Sequence, residues 1–168
     1  MFGRFATATA GGLLLLAAGG AAIAQDAGFK VIAPERTVEV EVSTALALFF
    51  DKAFVELSMA DPEVADIASL SDQLVYVVGK TVGKTTLTLI SNAEASDLES
   101  VAVISYRDVG PMQAFLAASA KGVTLVRDGV TITVSGCLAS PREEGAVGNV
   151  VSQLKDWGYV TLSDLGRC

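Results

Sequence analysis

The sequence predicts a β-rich α+β fold, with a small all-β N-terminal module followed by an α-β-β-α-β module. Three observations carry this. Between Thr37 and Tyr106, short β-branched runs alternate apolar and polar residues, and turn signals arrive every eight to twelve residues. At Asp108 the character changes, and two helical segments bounded by Pro and Gly appear, Met112 to Lys121 and Pro141 to Trp157. Between them, two strand patterns flank Asp128-Gly129, a strong tight-hairpin signal.

Taken in order, residues 1–24 have the form of an export signal. Arg4 gives a small positive start, Gly11 to Gly20 is uncharged and apolar, and Ala22-Ile23-Ala24 fits a small-residue cleavage pattern before Gln25. A membrane-spanning helix is the weaker reading, because Gly19-Gly20 interrupts the run and Gln25-Asp26, not a basic cluster, follows it. Cleavage between Ala24 and Gln25 would deliver the chain to a bacterial periplasm. Residues 25–36, with Pro34 and mixed charges, form a linker.

The β-rich module spans residues 37–107. Val38, Val40 and Val42 alternate with Glu39 and Glu41, as in a strand with one buried face. Ala45 to Phe50 is a continuous apolar run expected to be strand, and Phe54 to Met59 alternates again before Asp61-Pro62 breaks the chain. Further strands are expected around Ile67 to Leu70, Leu74 to Val78, Thr86 to Ser91 and Val101 to Tyr106. In residues 108–168, Pro111 opens a short Ala-rich helix and Gly122 stops it. Strands Val123 to Arg127 and Val130 to Cys137 form the hairpin. Ser140-Pro141-Arg142-Glu143 then has capping-box spacing, and Val147, Val150, Val151, Leu154 and Trp157 share one face of the helix behind it. Gly158 ends that helix, and Tyr159 to Leu162 is a final strand.

The run Gly79-Lys80-Thr81-Val82-Gly83-Lys84-Thr85 invites a nucleotide-binding reading. A phosphate-binding loop needs four residues before its Gly-Lys-Thr and a helix after it, so that helix amides can cradle phosphate. Here three residues intervene, and Thr86 to Ser91 has strand alternation. The run is therefore expected to be a glycine-punctuated connection between two strands, with unusual backbone angles at Gly79 and Gly83 and solvated lysines.

The string Gln73 to Lys80 followed by Gly83 to Leu87 resembles the Gly-Lys core of the pilus-formation N-terminal domain, which precedes the secretin pore of Flp/Tad (tight adherence) pilus systems. Upstream, Met59 to Ile67, with Asp61-Pro62 at its centre, resembles that family's Asp-Pro segment. The resemblance implies that Asp61, Pro62, Gly79, Lys80, Gly83 and Thr85 define the first module and act structurally, with Lys80 and Lys84 as rim contacts. The hairpin strand ending at Ser140, and the element order around it, resemble BON-type and secretin N-domain modules, the small α/β units that build the rings of secretion machinery. A secretin would continue beyond Cys168 into its pore, so the resemblance implies a component other than the channel.

Charge and composition bound the chemistry. The chain has 12 basic and 19 acidic residues and no histidine. Loss of Arg4 with the signal takes the net charge from −7 to −8. An acidic chain without a basic cluster is poorly suited to nucleic acid or anionic lipid. Histidine-based triads and zinc sites are absent, and no spacing gathers two carboxylates, so no catalytic residue, metal or cofactor is expected. Cys137 and Cys168 are an even pair in an oxidising compartment, which suggests an internal disulfide. The alternatives are a buried free Cys137 with a frayed Cys168, or an intermolecular bond.

The expected function is periplasmic and non-enzymatic: association within Flp/Tad-type pilus assembly or secretion machinery. The partner would be the pilus secretin, another envelope assembly protein or further copies of the chain. Two rivals remain open, a BON-like protein contacting envelope surfaces and a nucleotide-binding enzyme built on the glycine-lysine run.

Overall fold

The computed structural model describes residues 30–92 and 97–168. The expected signal and its Ala24–Gln25 cleavage site lie outside them. Residues 32–168 form one compact unit. Within it the strands are β1 (Arg36–Glu41), β2 (Ala45–Phe49), β3 (Glu56–Met59), β4 (Ala65–Ser69), β5 (Leu74–Gly79), β6 (Gly83–Ile90) and β7 (Leu98–Tyr106). Helix α1 (Gly110–Ser119), strands β8 (Val123–Asp128) and β9 (Thr131–Leu138), helix α2 (Pro141–Asp156) and strand β10 (Val160–Arg167) follow.

The strands make three sheets among the described residues, ordered β1-β7-β6-β3, β2-β5-β4 and β10-β9-β8. The first two pack face to face. Val40, Leu87, Leu89, Val101 and Val103 from one and Ala65, Val75 and Val77 from the other share a core with Phe50 and Phe54. The strand residues alternate along their strands, because successive side chains point to opposite faces of a sheet, while Phe50 and Phe54 come from the connection between β2 and β3. Phe50 and Phe54 meet edge to face at 6.2 Å between ring centroids.

Helices α1 and α2 cover one face of the third sheet. Met112, Leu116, Val147, Val150 and Leu154 pack there on Val123, Leu125, Ile132 and Val134. The expected cap of α2 is present in a shifted form. The Glu143 amide donates to Ser140 Oγ at 3.4 Å, while the Glu143 carboxylate accepts from the amide of Ala139, one residue before the cap. Gly158, at φ +98°, turns the chain out of the helix. The expected hairpin also forms, with Gly129 at φ +57° in the first of its two loop positions.

The Val101 strand belongs to the first sheet as β7, in keeping with the β-rich module expected for residues 37–107, and the second half has the expected order α1-β8-β9-α2-β10. One expectation changes. The last strand runs to Arg167, in parallel register with β9 throughout, and Leu165 packs against the second core. The Cys137–Cys168 bridge, with Cα atoms 5.2 Å apart, closes this end, so the pairing is internal.

Candidate functional site

The Asp61-Pro62 turn and the Gly-Lys loop, separated in sequence, form one interlocked unit. Strand β5 ends at Gly79 and β6 begins at Gly83, so the loop is a strand-to-strand connection. The amides of Lys80 and Thr81 both donate to the carbonyl of Val64, at 2.9 and 3.2 Å. In a phosphate loop such amides point at the ligand; here they hold the preceding turn. Lys80 Nζ donates to the Pro62 carbonyl at 2.8 Å, and Thr81 Oγ1 donates to the Glu63 carbonyl at 2.8 Å. From the far side, the amide of Asp61 donates to Oγ1 of the buried Thr85 at 2.8 Å. Asp61 Oδ1 in turn accepts from the Glu63 amide at 3.0 Å, bracing its own turn. All six motif residues, Asp61, Pro62, Gly79, Lys80, Gly83 and Thr85, therefore meet in this one place.

The glycines are needed for a different reason from the one expected. Neither Gly79 nor Gly83 has positive φ. A Cβ on Gly79 would lie 2.6 Å from the Glu41 carbonyl oxygen and 2.9 Å from Ser105 Oγ; one on Gly83 would lie 2.6 Å from Val64 Cγ2. Close approach of the Glu41 backbone at Gly79 and of the Val64 side chain at Gly83, not backbone angle, leaves little room for larger residues. Gly79 is also where three segments cross. Its carbonyl accepts from Ser43, its amide donates to Thr44, and it bridges Val42 across the end of β1. The lysines also differ from one another: Lys80 is exposed yet bound to a backbone carbonyl, while Lys84 lies on the exposed side of β6.

One loop residue points elsewhere. Val82 is buried in the second core, and with Val42 it represents the first half there. A Cβ on Gly158 would sit 3.2 Å from the Val82 carbonyl oxygen, so Gly158 both ends α2 and makes room for this loop. Two further contacts join the halves. The buried Tyr159 hydroxyl accepts from the Arg107 amide at 2.9 Å and donates to the Arg107 carbonyl at 2.7 Å. Burial raises the pKa of this phenol, with the Arg107 hydrogen bond opposing. Arg127 on β8 makes a forked ion pair with Glu39 on β1, at 2.7 and 3.3 Å, and its guanidinium lies 4.4 Å from the centre of the Tyr106 ring. The hydrogen bond to Glu39 is the main reason its pKa is raised.

These junction residues were not singled out by sequence reasoning. The one available signal was Val82, an apolar residue among polar neighbours in a loop. Among the described residues, no group of three or more His, Cys, Asp or Glu side chains is placed to hold a metal ion. No helix there is long and apolar enough to cross a membrane. The arrangement fastens strands together and joins the two cores.

Residues 34–105 match the family described as the pilus formation protein N terminal region, a span that takes in the two-sheet sandwich and the whole interlocked unit. No curated protein matches the chain. Among solved structures, the crystal structure of domains 4 and 5 of the S-layer protein SbsC matches at 23% identity and a TM-score of 0.35, over 45% of this chain. The match covers 51% of that structure's chain, and a likeness this distant carries no argument.

Proposed function

We propose that the protein is a non-enzymatic component of an envelope pilus-assembly or secretion machine of the Flp/Tad type. It would work in the periplasm by protein–protein contact with the pilus secretin or its accessory proteins. The observation that carries this reading is the match of residues 34–105 to a pilus-formation N-terminal region, with the Asp-Pro and Gly-Lys motifs of that span joined in one structural unit. The α1-β8-β9-α2-β10 order of the second half supports a ring-building, BON-like module, the type that stacks beside its neighbours. Among the described residues the sheets end at β1 and β3, at β2 and β4, and at β10 and β8, and such edge strands offer places where a partner can add a strand.

A clean deletion of the gene tests the proposal. Surface pili and recovery of the secretin complex should both fall, and affinity purification from the periplasm should bring down an envelope assembly protein. Normal pili with no such partner would overturn the assignment. Binding of the purified protein to phospholipid or cell-wall preparations would then favour the envelope-contact alternative.

A further inference from the structure

Strand β10 is the longest of the edge strands among the described residues, with eight residues against four to six in β1, β2, β3, β4 and β8. Its backbone parity is fixed at both ends. The Val160 amide donates to the Val130 carbonyl at 3.0 Å and the Cys168 amide to the Leu138 carbonyl at 3.1 Å, so even-numbered residues turn their backbone groups toward β9. The N–H and C=O groups of Thr161, Ser163, Leu165 and Arg167 therefore point away from the sheet, and none has a hydrogen-bond partner among the described residues. The other edge of this sheet is already covered. On β8 the outward amide of Leu125 donates to Gln113 Oε1 of α1 at 2.6 Å, and that of Val123 to the Ala120 carbonyl at 3.0 Å. Along β10 the odd-numbered side chains face the helices, where Leu165 packs on the second core. The even-numbered ones face outward, with Val160 56% and Leu162 54% exposed and Asp164 next in line. Beside the C-terminal half of the strand, Leu165, Gly166 and Arg167 share a hollow of about 340 Å³ with Leu138 at the end of β9 and Pro141 and Glu144 in the first turn of α2.

We propose that β10 binds an extended segment of a partner envelope protein, which joins the sheet as an antiparallel strand. The occupant follows from the chemistry of the edge. A row of outward N–H and C=O groups at every second residue is matched by another backbone in extended form. Main-chain bonds of this kind supply affinity, and pockets for alternate side chains supply selectivity. The partner residue opposite Leu165 shares its helix-side face and lies beside the hollow, where Leu138, Pro141 and Leu165 suit an apolar side chain. On the outer face, residues opposite Val160 and Leu162 meet apolar side chains. The one opposite Asp164 meets a carboxylate, so a Lys or Arg there gains a cross-strand pair. Read from its N-terminus, the segment carries an apolar residue, a basic one directly after it, then apolar residues at the next two alternate places. The chain's own net charge of −7 favours such a basic segment over a second copy. The edge is also held ready, because the Val160 hydrogen bond and the Cys137–Cys168 bridge fix both ends of β10 before anything binds. The inference rests on the reading of association by contact and deepens it, naming the edge and the chemistry of the partner.

The test uses the protein purified in the form its host exports, a short end-capped synthetic peptide of this pattern, and a scrambled peptide as control. Amide hydrogen exchange read by nuclear magnetic resonance should slow about tenfold at Thr161, Ser163, Leu165 and Arg167 when the peptide is in excess. Leu162 and Asp164, whose amides already bond to β9, should change little. Ser163→Pro removes an outward donor and spares the ladder to β9, so it should abolish peptide binding in a folded protein. Asp164→Lys should weaken binding about fivefold by placing like charges opposite one another, and it serves if the proline disturbs the fold. Equal binding of the scrambled peptide, protection at another edge, or binding that survives both substitutions would overturn the proposal. So would self-association that protects the same amides without peptide. Because the readout is on purified protein, a failure here is distinct from a failure of the pilus reading, which the deletion strain reports.

Discussion

Gly79 shows how one position can be demanded by its surroundings with no unusual backbone angle. Its missing side chain lets the ends of β1 and β5 cross, and the Glu41 carbonyl and Ser105 hydroxyl occupy the space a methyl group would need. Gly79→Ala is expected to destabilise the protein by about 1–3 kcal/mol, the usual penalty for forcing atoms into a packed site. Lys84→Ala, at an exposed position, should change stability by less than about 0.5 kcal/mol. Urea unfolding separates the two, and calorimetry with ATP should give no binding heat for wild type or either variant. Ser105 is fully buried and, among the described residues, its hydroxyl has no hydrogen-bond partner. Ser105→Ala should therefore hold stability level or raise it, since an unpaired buried hydroxyl costs about 1–3 kcal/mol. Tyr159 is the opposite case, a buried hydroxyl with both of its bonds made. Because burial raises its pKa, the folded state holds the phenolic proton more tightly than the unfolded chain does. That contribution is present in full below the ordinary tyrosine value of about 10 and is lost as pH rises past it. Tyr159→Phe should cost about 1–3 kcal/mol at neutral pH and flatten the alkaline fall in a pH series of thermal unfolding. The importance of both motif glycines was legible in the sequence. The reason was not, because a steric contact between residues dozens of positions apart leaves no local pattern.

At the scale of elements, the alternation that marks strands was easy to read, while the environment of each face was harder. Ala45 to Phe50 lacks polar residues, so it resembles a strand buried on both sides. In the fold Leu46 and Leu48 face the core, while Ala45, Ala47 and Phe49 face outward. Periodicity cannot report a face whose polar half has been replaced by apolar residues. The extent of β10 was hidden in the same way. Ser163, Asp164 and Gly166 carry little strand signal, and register with β9 carries the strand to Arg167. The Gly-Lys loop has a tertiary role as well, through Val82. Val82→Ala should lose about 2 kcal/mol, as expected for emptying part of a packed core. The stronger Val82→Asp should separate the two cores, so that tryptophan fluorescence, reporting Trp157 in the second half, and far-ultraviolet circular dichroism no longer give coincident transitions. Coincidence retained in Val82→Asp would show that Tyr159 and Arg127 suffice to couple the halves.

For the molecule as a whole, the two cores are joined by Val82, the Tyr159–Arg107 hydrogen bonds and the Arg127–Glu39 pair. The last two reach across 52 and 88 residues of sequence. The alternation of the first half pointed to a β-rich chain, and the even cysteine count suggested a disulfide while leaving its pairing open; the fold is β-rich and the pairing is internal. The joining of the two cores was not foretold, because it depends on where they meet and not on what either contains. Reducing the bridge should cost about 3–4 kcal/mol, the chain-entropy estimate for a loop of this length. Chemical denaturation with and without reductant measures it directly, and an unchanged midpoint would show that β10 pairing alone holds the tail.

The parallel partnership of the outermost strands also bears on how the protein carries tension. Pulled outward at Arg36, β1 slides lengthwise along β7, so its ladder bonds are strained together and do not open one by one. At the other end, the bridge passes the pull at Cys168 straight to Cys137, which leaves α2 and β10 off the load path. In single-molecule stretching under oxidising conditions, the segment between Cys137 and Cys168, a sequence separation of 31, should stay hidden. Reductant should then release roughly 110 Å of additional contour, at the reach of an extended chain.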